Sequence, residues 1–233
     1  MRSLNMTLGD LAREHPSTTR VFLRYHLDFC CGGRRTLAEA CQRAGLDAAK
    51  IADEVEQEAR RDESPQSGEG PTWTRSPRWD DRPLTELADH IEHHYHAALR
   101  RDLPPLIEAA RKVERVHASR PAVPSGLAAE LSTFLAEMQS HMGKEENILF
   151  PMIRRGARGE AVYMPVRVME SEHDGHRQHL AKLRELTHDL ALPPEACSTW
   201  KALYHGLETL EADLMQHIHL ENNILFMRAT REG

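Results

Sequence analysis

The sequence predicts an all-α protein, an up-down four-helix bundle preceded by a small helical domain. Three observations carry this expectation. From residue 84 onward apolar residues recur at alternating steps of four and three, the spacing of a buried helix stripe. Breaks at 119–126, 156–165 and 192–194 divide that pattern into four long segments. One eleven-residue stretch occurs twice, as His141-Met-Gly-Lys-Glu145-Glu-Asn-Ile-Leu-Phe-Pro151 and His217-Ile-His-Leu-Glu221-Asn-Asn-Ile-Leu-Phe-Met227, with His, Glu, Asn, Ile, Leu and Phe at matching offsets.

Residues 1–61 read as short helices with capping signals. Thr7 precedes LGDLAREH, Ser17 precedes TTRVFLRYHL, Thr36 and Glu39 form a capping box, and Asp47 precedes AAKIADEVEQEARR. Between the second and third lies Asp28-Phe-Cys-Cys-Gly-Gly33, a glycine-terminated turn expected to display two neighbouring thiols. Residues 62–83 are rich in Pro, Gly, Ser and charge without periodicity, which is how a linker reads. Trp73 and Trp79 within it suggest packing against something. The bundle is then expected over 84–233, with a kink or interruption at Pro104 and Pro105 in the first segment.

In the second segment the seam runs Leu127, Leu131, Phe134, Met138, His141, Glu145, Ile148, Met152. The fourth runs Trp200, Leu203, Leu207, Leu210, Leu214, His217, Glu221, Ile224. The third, opening at Pro165, places Met169, His173, His176, Leu180 and Leu183 together. The first carries two slightly rotated stripes, so periodicity alone does not choose among His90, His93, His94 and His96. The repeat does choose. His96 to His141 spans 45 residues and His173 to His217 spans 44, and aligning His96 with His173 also matches Arg100 with Arg177 and Leu103 with Leu180.

Composition limits the function. The 233 residues carry 30 basic and 36 acidic side chains, a formal net charge of -6, and offer no basic excess for neutralising phosphates. Nucleic acid is not an expected partner. No apolar run suits a signal peptide or a membrane span, and four cysteines without a paired framework suit a reducing compartment. A cytoplasmic protein is expected, and a homodimer is compatible with the chain. Histidine is the outlier, with 13 of 15 lying after residue 83.

On a helix, residues four apart are rotated by about 40° and separated by about 6 Å along the axis, so the His and Glu of each repeat point the same way. Burying such groups costs several kcal/mol each unless they are paired or bind metal. His96, His141, Glu145, His173, His217 and Glu221 supply six nitrogen or oxygen ligands and no thiolate. Structural zinc favours four ligands with Cys or His, and magnesium and calcium favour oxygen alone. Two non-haem irons bridged by the two carboxylates fit better, with positions left for dioxygen, nitric oxide or a bridging oxide or hydroxide. His90, His94, His117, His176 and His219 are candidates for lining the pocket, relaying protons or orienting a ligand. Gly143, inside a helix, suggests a close-approaching neighbour or a channel. Cys30 and Cys31 read either as small core residues or as an exposed, partly ionised pair.

Asp28-Phe-Cys-Cys-Gly-Gly33, the duplicated motif, Lys112-Val-Glu-Arg-Val-His117 and Met169-Glu-Ser-Glu-His173 together resemble the iron-sulfur cluster repair di-iron proteins, the RIC family. The resemblance covers nearly the whole chain. It implies a hemerythrin-like bundle with a non-haem di-iron centre on the same six residues, an N-terminal domain bearing the functional pair Cys30 and Cys31, and restoration of iron-sulfur proteins damaged by oxidative or nitrosative stress. Reduction of nitric oxide, or reversible binding of dioxygen or nitric oxide by a sensor, are the alternative functions.

Overall fold

A computed structural model describes residues 3–62 and 78–231, and among them no strand occurs. The middle of the expected linker, Trp73 included, lies outside the described residues. The chain divides into two compact units, one of Met1–Ala88 with Met215–Gly233 and one of Asp89–Leu214.

In the first unit, α1 (Leu8–Glu14), α2 (Thr19–Arg24), α3 (Leu37–Ala44) and α4 (Ala48–Asp62) follow the capping signals closely. Thr7 accepts from Asp10 N, Thr36 and Glu39 complete a capping box, and Asp47 Oδ1 accepts from Ala49 N and Lys50 N. Ser17 departs from expectation. A 3-10 turn over Pro16–Thr18 precedes α2, and the Ser17 hydroxyl donates to Glu58 O at 2.8 Å, tying α4 to this turn instead of capping a helix. The core of the unit is Leu8, Leu11, Val21, Phe22, Phe29, Leu37, Ile51 and Val55. Trp79 is also buried, and its carbonyl accepts from Arg228 at 2.6 Å, so the end of the linker segment does pack. α5 (Leu84–His90) begins in this unit.

The second unit holds the bodies of four helical segments: Ile91–Val116, as a π turn (Ile91–His96) followed by α6 (Ala97–Val116); α7 (Leu127–Lys144), continuing through a π turn (Glu145–Leu149) into α8 (Phe150–Arg154); α9 (Glu160–Leu186); and the part of α10 (Ser198–Leu220) up to Leu214. Their inward stripes, including Leu99, Leu103, Leu131, Phe134, Met138, Val166, Met169, Trp200, Leu203 and Leu207, form one core. Four corrections to the sequence expectation arise here. Pro104 and Pro105 do not interrupt α6, which runs through both. Pro165 does not open its helix but lies inside α9, which starts at Glu160. Gly143 meets no neighbour, since an added Cβ would find nothing within 4 Å.

The fourth concerns register. A π turn inserts one extra residue into the helical ladder, and it rotates everything beyond it. Past Glu145 the buried stripe therefore passes through Leu149, Phe150 and Ile153, while Ile148 is 52 % exposed and Met152 is partly exposed. The π turn over Ile91–His96 accounts for the two rotated stripes of the first segment: Tyr95 and His96, adjacent in sequence, are both buried.

His179 on α9 joins Glu130 Oε1 at 2.5 Å and Glu137 Oε2 at 2.9 Å on α7. Burial opposes the charged imidazole, but the hydrogen bonds to Glu130 and Glu137 outweigh it and raise the pKa above the ordinary 6.5. A raised pKa means the folded state holds the proton more tightly, so the stabilisation is fully present below 6.5 and is lost as pH rises through the folded value. The melting-temperature difference between wild type and His179→Gln is expected to be largest below pH 6.5 and to vanish in alkaline buffer.

Candidate metal centre

Two features place the candidate ligands of the second unit. The seam turns His96, His141 and His173 inward, each essentially inaccessible, and the four-residue step from His141 brings the Glu145 carboxylate to the same side. Glu145 Oε2 lies 3.3 Å from His96 Nε2 and 3.5 Å from His141 Nε2. His141 Nε2 is in turn 3.1 Å from His173 Nε2. Donor atoms at about 2.0–2.2 Å from one ion stand roughly 3 Å apart, so these spacings suit ligand atoms converging on metal.

The outer nitrogens of His96 and His141 are each fixed by a further carboxylate. His96 Nδ1 pairs with Glu146 Oε1 at 2.7 Å, and Glu146 also accepts from Arg100 at 2.8 Å. His141 Nδ1 pairs with Glu172 Oε2 at 2.9 Å, and Lys144 also binds Glu172. A proton held on Nδ1 leaves Nε2 as the lone-pair donor, and the carboxylate makes it a stronger base. Phe150 stacks on the His96 ring at 5.8 Å and restricts its rotation. Sequence reasoning missed Glu146 and Glu172. The available signal was their position beside Glu145 and His173, one helical step from the seam and therefore at its edge. Glu146→Gln and Glu172→Gln are each expected to lower iron affinity by about 10–100-fold, read by competition with a chelator, with unchanged circular dichroism.

His176 is also buried, its ring 4.7 Å from that of His141, edge to face, and His141, His173 and His176 form a group able to hold a metal ion. His93 and His94 are exposed and His90 is half-buried, so burial and the 45-residue interval both single out His96. His117 Nε2 lies 3.3 Å from Cys197 Sγ, away from this group.

In the first unit, the repeat supplies His217 and Glu221, both buried, with His217 Nε2 2.8 Å from Glu221 Oε1. Here too a π turn, Glu221–Leu225, begins on the glutamate. The same segment anchors the cysteine turn. Asn223 Nδ2 donates to Phe29 O at 3.1 Å and Cys30 O at 3.2 Å, and Asn222 Nδ2 reaches Cys30 O at 3.5 Å. His219 packs beside Phe29 at 5.6 Å, and burial pulls its pKa down to about 4, so it stays neutral. His219 Nδ1 also meets Asn223 Nδ2 at 3.0 Å, so it stands behind the residue that grips the turn. Asn147 and Asn223 occupy the same place in the repeat, yet Asn147 is exposed and donates to Gly143 O at 2.6 Å.

The exposed-pair expectation for the cysteines is overturned. Cys30 is 3 % exposed, and only Cys31 reaches the surface in part. The hydrogen bond with Cys31, then burial and the neighbouring Asp28, raise the Cys30 pKa well above the ordinary thiol value. Cys30 is thus a thiol at neutral pH in the absence of a cation.

A helical bundle whose buried seams carry imidazoles and carboxylates defines a metal-binding bundle protein of the hemerythrin type. Residues 87–229 match the family described as the hemerythrin HHE cation binding domain, and residues 4–59 match a domain of unknown function, DUF542. The chain belongs to the hemerythrin family and, within it, to the iron-sulfur cluster repair proteins. It is 46% identical over 227 residues, 97% of both chains, to the iron-sulfur cluster repair protein YtfE of Yersinia pseudotuberculosis serotype IB (strain PB1/+). The same figures hold for YtfE of Yersinia pestis (strain Pestoides F). Among the described residues, no helix is long and apolar enough to cross a membrane.

Proposed function

We propose that the protein repairs iron-sulfur clusters damaged by oxidative or nitrosative stress, by supplying iron from a di-iron centre held by His96, His141, Glu145, His173, His217 and Glu221. The observation that carries the reading is the convergence of His96 and His141 on Glu145, with His173 against His141 and the outer nitrogens of His96 and His141 held by Glu146 and Glu172. The repair proteins at 46% identity support the substrate class. His217 and Glu221 are assigned from the duplicated motif and its seam, and all six residues fall within the matched HHE span. Residues 1–61 and 84–233 are read as the two domains, joined by 62–83.

Two iron ions, when bound, would supply redox chemistry and the capacity to bind nitric oxide or dioxygen. The chain's own part is electrostatic and geometric. Glu145 and Glu221 balance cationic charge in a dry site, and Phe150 keeps water from His96. Glu146 and Glu172 keep the His96 and His141 Nδ1 protons in place, so the Nε2 lone pairs face the metal. Cys30 and Cys31 assist the transfer of iron, and a cytoplasmic setting suits four cysteines of which none forms a disulfide.

The test incubates the iron-loaded full chain with an iron-sulfur dehydratase inactivated by nitric oxide. Reactivation well beyond that given by the same amount of free ferrous iron is expected. Equal reactivation would sink the proposal, and turnover of nitric oxide to nitrous oxide by the reduced protein would favour the reductase alternative.

A further inference from the structure

Outside the His/Glu seams, one turn gathers three more ligand-bearing side chains. The Sγ atoms of Cys30 and Cys31 are 3.9 Å apart, Cys30 Sγ lies 3.3 Å from Asp28 Oδ1, and ligand atoms of all three residues fall within 4.8 Å of one another. The fold holds them there. Asp28 Oδ1 accepts from Cys31 N and from Gly32 N, each at 3.0 Å, while Asn223 grips the Phe29 and Cys30 carbonyls from the other side. Gly32 and Gly33 make that closeness attainable, because a Cβ on Gly32 would sit 2.6 Å from Asp28 O and one on Gly33 would sit 2.6 Å from Phe29 O.

Two sulfurs and one carboxylate form a donor set for ferrous iron, zinc or cuprous ion, and a poor one for magnesium or calcium. Three protein ligands leave one place of a tetrahedral shell open, as in sites that exchange what they hold. Cys30 closes the inner side, whereas Asp28 and Cys31 are partly exposed and leave a way in and out.

We propose that Asp28, Cys30 and Cys31 form a transit site for a thiophilic divalent metal, with ferrous iron as its cargo and one position left for a recipient's ligand. This deepens the iron-supply reading and rests on it for the identity of the cargo. On binding, two metal-sulfur bonds and one metal-oxygen bond form, and the two thiol protons leave to solvent. The site carries a charge of minus one before, on Asp28, and minus one after, so no oxidant or reductant is required and no net charge accumulates beside the buried Cys30.

The test titrates the apo full chain, in a Cys41→Ser, Cys197→Ser background, with Co2+ under anaerobic conditions and follows thiolate-to-cobalt charge transfer in the near ultraviolet. One thiolate-bound cobalt per chain is expected, with the band about halved in Cys31→Ser. Competing protons should lower the apparent affinity by about 100-fold per pH unit, the slope for two released protons. Asp28→Asn keeps an acceptor for Cys31 N and Gly32 N and should fold normally. It should nevertheless weaken binding by more than about tenfold, the scale of losing a contact to a metal centre. No charge-transfer band, a one-proton slope, or unchanged affinity in Asp28→Asn would overturn the site. Reactivation of a damaged dehydratase is measured in parallel on iron-loaded protein. A cobalt site that behaves as expected without any reactivation would leave the site standing and remove iron supply. Wild-type reactivation by Asp28→Asn would remove its transit role.

Discussion

Glu145→Leu is expected to lose iron and to gain stability as the apo protein. The wild-type chain should carry two irons and the absorption of a carboxylate-bridged pair, whereas the variant should carry fewer. The reason is geometric: one Glu145 oxygen is the common neighbour of His96 Nε2 and His141 Nε2, so its removal unlinks both imidazoles. The apo comparison separates a metal ligand from a structural residue. A carboxylate this deeply buried is costly to desolvate, and an apolar side chain of similar size removes that cost. Chemical denaturation of both apo proteins, with metal analysis of both as isolated, gives the two numbers. Zinc at full occupancy in the wild type, or a less stable apo variant, would overturn the assignment.

The second large effect is expected at Gly33→Ala, far from the predicted ligands in sequence. The new methyl would sit 2.6 Å from Phe29 O and 2.7 Å from Asn223 Oδ1, closer than real Cβ contacts allow. Phe29 O belongs to the backbone and Asn223 is occupied by the cysteine turn, so neither neighbour can yield without breaking the hydrogen bonds that hold Cys30 in place. A loss of about 2–4 kcal/mol is expected, within the range of severe steric substitutions. Amide hydrogen exchange should quicken over residues 29–33. Gly143→Ala provides the contrast: its Cβ meets only open space, and removing a mid-helix glycine should stabilise by about 0.5–1 kcal/mol. Equal effects at the two glycines would show that the turn is not docked as described.

Much of the architecture was legible because its determinants are local. Caps at Thr7, Thr36 and Asp47 depend on residues within three positions, and the seams of α7, α9 and α10 depend on helical spacing. The sequence also singled out His96 from its three neighbours, because duplication preserves intervals and the interval to the next ligand is countable. It failed wherever the helix departed from an even period. Ile148 was assigned to the core and is exposed, since the π turn after Lys144 adds a residue that no composition signal marks.

By itself, then, the sequence determined the helical class and the repeated His-x3-Glu word with its imidazole and carboxylate donors, all properties of residue type and spacing. Tertiary structure alone decided which carboxylates steady the imidazoles, why Glu145 reaches two of them, and that Cys30 lies buried against Asp28 rather than exposed. Those facts depend on contacts between residues as far apart as Cys30 and Asn223, and on extra residues absorbed in π turns. A side chain's partner across a fold is set by packing of whole elements, and no local spacing encodes it.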